Sequence, residues 1–412
     1  MPTPSPIEAG GVLVLLTQIA IVLFIGIILK AVSKKTGAPF VVSLILAGTV
    51  AVSFGILDMG RWEWFSELIR TMALIIIVFS AGFHLQLREI KKDSKIILML
   101  ATIGVLITFG LITGITYWLL SLPLITAAFL GALLSGSDSA AISASSTSES
   151  RISTILMSES VFNQPLTLIL PLLLLDYVVK PELALLNVPK FFLLIVVGAA
   201  VGIVGAFIGQ KILLSLRTEH EQIAGLMIAI SVFVIAENLF GSGILSVAIT
   251  ALLLSSTNIP KKEVLGTFSK QLAFIFTVFV FVLLGMQFSV QTLIELSITR
   301  QEIIAIVIAL VAARLLSSLI VLLRTKFSIT EKLKIGLISP KGIAPAALAP
   351  LLIAHNIPGA LDVVKIVYIA IIASTLISLA ALRMGLPGPS VKEQAREKTE
   401  EHIIQKVAGK NK

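Results

Sequence analysis

The sequence predicts an all-α integral membrane protein with about thirteen membrane-spanning helices. Three observations predict it: an extremely apolar composition, a long series of apolar runs, and basic residues that gather in alternate loops. Hydrophobic residues make up 57% of the 412 and charged residues only 13%, with a mean hydropathy of +1.03. Soluble domains carry about 25% charged residues, and a chain this apolar lacks the polar surface to face water. Cysteine is absent, which excludes disulfides, thiolate metal sites and cysteine nucleophiles. The net charge of +9 reads as basic residues retained on the cytoplasmic side rather than as a nucleic-acid surface.

A hydrocarbon core about 30 Å thick needs about 20 mostly apolar residues per helix. Such runs are Gly11 to Ala31, Ala38 to Leu57, Met72 to Leu87, Ile96 to Leu120 and Leu124 to Ser146. They continue with Ser153 to Val179, Phe191 to Leu216, Ile223 to Phe240, Gly243 to Leu254 and Gln271 to Phe288. Ile303 to Leu323, Ile335 to Ala354 and Val363 to Leu382 complete the series. The first run lacks a basic n-region and a small-residue cleavage site, so it is expected to be a retained span. The turn Phe240-Gly241-Ser242-Gly243 alone divides the eighth run from the ninth; without it the count falls to twelve. Residues 1–384 form the membrane domain and 385–412 a short charged tail, opened by Pro387 and Pro389.

Loop charge sets the expected orientation. With the amino terminus outside, inner segments hold Lys30, Lys34, Lys35, Arg88, Lys91, Lys92, Lys95, Arg151, Lys211, Arg217, Lys261, Lys262, Lys270, Arg324, Lys326, Lys332, Lys334 and the basic tail. Outer segments hold only Arg61, Arg70, Lys180, Lys190, Arg300 and Lys365. The positive-inside rule then places the protein in the cell membrane, multi-pass, with its carboxyl tail in the cytoplasm.

Charges at membrane depth are expensive, about 2.5–3.5 kcal/mol each on insertion scales, and mark function or pairing. Five fall there by position: Asp138, Glu159, Glu237, Arg314 and Lys341. Asp176 lies near a span end and is expected to be solvated. Asp138 stands in Leu134-Ser135-Gly136-Ser137-Asp138-Ser139-Ala140, where glycine and side-chain hydrogen bonding oppose a regular helix. The twelfth run has a matching interruption, Ser339-Pro340-Lys341-Gly342-Ile343-Ala344-Pro345, in which two prolines remove backbone donors. Irregular backbone at this depth is tolerated only against protein or a wet cavity. Two interrupted spans of opposite direction, in corresponding places of two halves, point to an inverted-repeat secondary transporter. Asp138 has two readings, an ion-binding carboxylate or the cap of a half-helix. Lys341 has two as well: a partner for Glu159 or a neutraliser of broken-helix carbonyls. Glu237 and Arg314 are expected to be buried in structural pairs. The serines running to Ser150 are expected to permit close helix packing.

At these residues the sequence resembles the monovalent cation/proton antiporter superfamily, on its sodium/proton exchanger branch. Ala38-Pro39-Phe40-Val41-Val42 through Gly48 is similar to the family's second span, and Phe79-Ser80-Ala81-Gly82 to its third-span motif. Glu159-Ser160-Val161-Phe162-Asn163-Gln164 resembles the Glu-Ser-x-x-Asn-Asp signature. Ala236-Glu237, Gly241-Ser242-Gly243-Ile244-Leu245 and Phe281-Val282-Leu283-Leu284-Gly285-Met286 are similar to later spans. The segment from Ser339 to Ala349 resembles the Gly-x-Arg-Gly broken helix. Their order and spacing carry the resemblance from about Gly37 to Leu382.

The resemblance implies five-helix inverted repeats, two crossed broken helices, a dimerisation bundle, and homodimers serving pH homeostasis. It also implies exchange of Na⁺, or another monovalent cation such as Li⁺ or K⁺, for H⁺ by alternating access, with no cofactor and no enzymatic activity. Asp138 then falls on the acid of the broken fifth span, Ser160 and Asn163 on site residues, and Glu159 on the partner of the twelfth-span base. Two departures stand out. The second acid of the Asn-Asp pair is Gln164, and the acid often found in the third-span motif is Ser80. The twelfth-span Arg is Lys341, which keeps the charge but loses bidentate geometry. Gln164 offers an amide oxygen but no titratable group. Asp138 therefore becomes the carboxylate expected to be shared by cation and proton, with Asn163, Gln164, Ser160 and helix carbonyls completing an oxygen shell for Na⁺. The alternative from a different class is a degenerate family member, acting as an ion-responsive sensor or subunit without turnover.

Overall fold

The computed structural model describes residues 9–58, 60, 62–85, 87–138, 151–179, 187–215, 220–259, 262–289, 291 and 299–383. The charged tail and the serines from Ser139 to Ser150 lie outside the described residues. All regular structure described is helical. The helices are α1 (Ala9–Thr36), α2 (Phe40–Ser53), α3 (Glu63–His84), α4 (Leu87–Met99), α5 (Val105–Leu120) and α6 (Leu124–Leu134). There follow α7 (Arg151–Val179), α8 (Asn187–Ser215), α9 (Glu221–Asn238), α10 (Gly243–Ser255) and α11 (Lys262–Met286). The series ends with α12 (Arg300–Val321), α13 (Ile329–Leu337), α14 (Ile343–Ala354) and α15 (Ala360–Arg383). Among the described residues, 9 helical segments are long and apolar enough to cross a membrane, and α2, α6, α10 and α14 are shorter apolar helices. Together they take up every apolar run read from the sequence.

The punctuation of these helices is local chemistry. Pro39 and Pro123 stand immediately before α2 and α6, where a missing N–H costs nothing. Gly37 ends α1 at φ +72, in the left-handed region glycine enters freely, and Arg383 at the end of α15 donates to its carbonyl at 2.6 Å. The Phe240-Gly241 turn does separate α9 from α10: the Gly241 amide folds back onto the Ala236 carbonyl at 2.7 Å. Capping boxes start α12 (Thr299, Glu302) and α13 (Ser328, Glu331), each satisfying two orphan backbone donors.

One irregularity carries no proline. Between α4 and α5 the chain makes a π-helical turn over Leu100–Gly104. The Gly104 carbonyl there accepts from Thr108 Oγ1 at 2.7 Å and from Ser317 Oγ of α12 at 2.8 Å. Ser317 follows Arg314 by one helical turn, so this bond fixes the face that Arg314 presents.

Buried apolar side chains form two clusters. One gathers Phe129 and Leu133 of α6, Val282 of α11, Ile343 and Ala346 of α14, and Ile371 of α15. The other gathers Phe79 and Phe83 of α3, Ile155 of α7, Leu252 of α10, and Ile335 and Ile338 around α13. The interruption between α13 and α14 lies where the two clusters meet. In the first cluster α2 and α11 touch backbone to backbone: a Cβ at Gly285 would stand 2.0 Å from the Ile45 carbonyl oxygen. Small residues allow this approach in lipid, where dispersion contacts replace the hydrophobic effect between helices.

Several charges sit differently from the sequence expectation. Glu237, expected at depth, is exposed, because the glycine turn leaves it at the end of α9. There its Oε1 accepts from the Gly243 amide at 2.8 Å and caps α10. Lys365, expected in a loop, is a buried residue of α15 paired with Glu302 at 3.4 Å. Asp176 is half exposed and paired with Lys190 at 2.6 Å, in keeping with its solvated reading. Arg151 makes a bidentate pair with Asp93 at 2.6 and 2.9 Å, at a non-helical residue inside α4.

Candidate functional site

The site is built by two helices that stop. α6 ends at Leu134, and Ser135 to Asp138 leave the helix. α13 ends at Leu337, and the chain is non-helical from Ile338 to Gly342 before α14 begins. These two stretches meet. The Asp138 amide donates to the Pro340 carbonyl at 2.9 Å, and the Ile343 amide donates to Asp138 Oδ2 at 2.7 Å. Lys341 Nζ donates to the Gly136 carbonyl at 2.6 Å and to Ser339 Oγ at 3.3 Å. Each half-helix end thus receives the charge its dipole favours: a carboxylate at the amino end of α14, an ammonium at the carboxyl end of α6. Glycine is required at the crossing, since a Cβ on Gly342 would stand 1.8 Å from Asp138 Oδ2.

The freed backbone groups find side chains, as burial demands. Ser378 Oγ accepts from the Ser339 amide at 3.1 Å, and Ser374 Oγ from the Lys341 amide at 2.9 Å. Pro340 has no amide to satisfy. Ser374 and Ser378 escaped the sequence reading, although two serines four apart in a largely apolar stretch of α15 share one helix face.

α7 holds the other side. Ser160 Oγ donates to the Ser137 carbonyl at 3.1 Å, and Asn163 Nδ2 to Ser137 Oγ at 3.1 Å and to Glu159 Oε1 at 2.9 Å. Asp138, Glu159, Ser160, Asn163, Gln164 and Lys341 are all buried, between 0% and 4% exposed, so the structure brings these sequence candidates together. The pairing among them is corrected. The expected direct ion pair between Glu159 and Lys341 is not formed; Arg314 of α12 takes the Glu159 carboxylate, Nη2 to Oε2 at 3.3 Å. From α12, anchored by Ser317 on the π turn, the Arg314 side chain reaches Glu159 of α7, while Lys341 is drawn to the Gly136 carbonyl past the end of α6.

Two cavities flank the crossing, each about 10 Å³ and sized for about one water. The first is lined by Gly136, Ser137, Asp138, Gln164, Thr167 and Gly342, among others. The second is lined by Arg314, Ser339, Lys341 and Ser374 with apolar neighbours. Gln164 Oε1 and Asn163 Oδ1 are buried acceptors without a donor, and Arg314 Nε is a buried donor without an acceptor. Asn163 Nδ2 is committed to the acceptor-only Glu159 carboxylate, and neither Asn163 nor Ser160 lines the first cavity, so the expected oxygen shell is narrowed to Asp138 and Gln164 with Ser137 and Thr167. The first cavity therefore joins one carboxylate to an unused amide oxygen, the chemistry of a monovalent cation site.

Comparisons with known proteins bear on the fold and the family. The chain is 27% identical to a probable Na⁺/H⁺ antiporter 2 of Methanocaldococcus jannaschii, over 79% of this chain and 81% of that protein. It is 26% identical to the K⁺/H⁺ antiporter NhaP of Alkalimonas amylolytica, over 80% of this chain and 59% of that one. In three dimensions it superimposes on the sodium proton antiporter MjNhaP1 of M. jannaschii with a TM-score of 0.76, covering 90% of this chain and 96% of that one at 23% identity. The fold is thus that of an antiporter, with its broken helices meeting at the buried acid. Residues 19–384 match the family model described as sodium/hydrogen exchanger, transmembrane, and the chain belongs to this family of secondary transporters rather than to any class of enzyme.

Proposed function

We propose that the protein exchanges a monovalent cation, Na⁺ or K⁺, for H⁺ across the cell membrane by alternating access, and that Asp138 carries either ion in turn. The observation that carries the reading is a buried carboxylate on a cavity shared with an unpartnered amide oxygen, at the crossing of two broken helices. Exchange needs a group that binds cation and proton competitively. Gln164 cannot titrate, and Glu159 is already engaged by Arg314 and Asn163. Asp138 is the remaining carboxylate on the cavity. Its Oδ2 accepts from the Ile343 amide at 2.7 Å, and a carboxylate there can take up a cation or a proton in turn. The names of the relatives, Na⁺/H⁺ and K⁺/H⁺ antiporters, support the same exchange. A sensor without turnover has no separate observation in its favour.

The amino terminus outside, the carboxyl terminus inside and assembly as a homodimer belong to the same reading. The test is cation-driven proton flux in proteoliposomes. The parent exchanges, and Asp138→Asn abolishes the flux. Equal pH-coupled flux in parent and Asp138→Asn would reduce Asp138 to a helix cap. Because the chain has no cysteine, single cysteines report sidedness: one at Lys92 is expected to react only from the cytoplasmic side, and labelling from outside intact cells reverses the orientation.

A further inference from the structure

Resting on the exchange reading above, we infer that Gln164 makes the cavity beside Asp138 a low-field site that selects potassium over sodium. The argument begins with charge. Where the family signature carries a second carboxylate, this chain offers the neutral Gln164 Oε1, buried and without a donor. The other polar atoms on the cavity are the Ser137 and Thr167 hydroxyls and backbone, none of them charged. The one carboxylate, Asp138, already gives Oδ2 to the Ile343 amide, which takes up part of its field. Across the crossing stand two basic side chains, Lys341 on the Gly136 carbonyl and Arg314 paired with Glu159, so no further carboxylate is left over for the cavity.

Field strength decides between the two ions. Sodium is the smaller and holds its hydration water more tightly, so a site must supply several strongly attracting oxygens to strip it. Potassium dehydrates more easily, and neutral carbonyl-type oxygens suffice. A Gln at this position thus changes which cation the site prefers, instead of merely weakening the site.

The test is equilibrium cation binding to the purified full chain, read as thermal stabilisation by KCl and by NaCl at constant ionic strength against N-methylglucamine chloride. The parent is expected to half-saturate with K⁺ at a concentration at least about fivefold below that for Na⁺. Gln164→Glu, which restores a carboxylate at the same length, should erase or reverse that order. Flux in proteoliposomes under K⁺ and Na⁺ gradients should rank the ions identically. A parent that binds or exchanges Na⁺ as well as K⁺, or better, overturns the inference and leaves cation exchange standing. A parent that neither binds nor exchanges either ion overturns both. The parent alone decides these outcomes, whether or not Gln164→Glu folds.

Discussion

Two places in this protein use the same local device at different depths. At the α9–α10 turn, Glu237 accepts from the Gly243 amide at 2.8 Å and caps α10. At the crossing, Asp138 accepts from the Ile343 amide at 2.7 Å and caps α14. Both follow the chemistry of a carboxylate at a positive helix end, and both are set among glycine and serine. Glu237 is exposed and Asp138 is 3% exposed. Around Asp138 lie three further ionisable side chains, two broken helix ends and a cavity; around Glu237 lies a turn. The comparison teaches that the cap is not the function. What distinguishes Asp138 is its burial beside a cavity and beside polar atoms without partners, which is why it, and not Glu237, is the acid proposed to carry the ions.

The comparison is tested hardest at the charges around Asp138. Arg314→Ala leaves Glu159 buried with no cationic partner and is expected to destabilise the protein by about 3–5 kcal/mol. SDS-induced unfolding in mixed micelles measures it. In a double-mutant cycle with Glu159→Gln, the pair should couple by at least about 0.5 kcal/mol, and the double variant should lose less than the sum. Strict additivity would mean that the 3.3 Å contact does no energetic work.

A smaller effect is expected at Lys341. Lys341→Ala removes one charge-assisted bond to the Gly136 carbonyl, worth about 1.5–3 kcal/mol. Because Lys341 does not pair directly with Glu159, the cycle between these two should show much weaker coupling than the Arg314 cycle under the same unfolding assay. Coupling as large as for Arg314 would restore the pair that the sequence suggested.

The smallest effect belongs to the rim. Glu237→Gln keeps a weaker acceptor at the start of α10 and should cost less than about 1 kcal/mol. It should also leave the ion flux and its pH profile unchanged. If Glu237→Gln abolished the flux, as Asp138→Asn is expected to, depth would not be the distinguishing property and the contrast would fail.

Much of the molecule was legible before folding. The thirteen apolar runs survive because a hydrocarbon layer imposes length on every span, whatever its neighbours. The interruptions at Gly136 and at Pro340-Lys341-Gly342 were equally visible, since glycine, proline and serine act on the backbone where they stand. The gathering of Asp138, Glu159, Ser160, Asn163, Gln164 and Lys341 followed from motif and resemblance. Less legible was the π turn at Leu100–Gly104, which has no proline and no polar cluster to announce it. Its role emerges only through Ser317, 213 residues away in the chain.

The sequence by itself determined the class of solvent, the approximate number of spans and where they lie along the chain, and the places where helices must break. Those are properties of residues in their local setting, governed by transfer free energy and backbone geometry. Only the tertiary structure decided which charges meet. Arg314 rather than Lys341 holds Glu159, Lys341 caps α6, Glu237 reaches the surface, and Gln164 keeps a bare oxygen on the cavity. An ion pair depends on distances between helices distant in sequence, and its energy in a low-dielectric interior changes steeply with those distances. No local pattern encodes them.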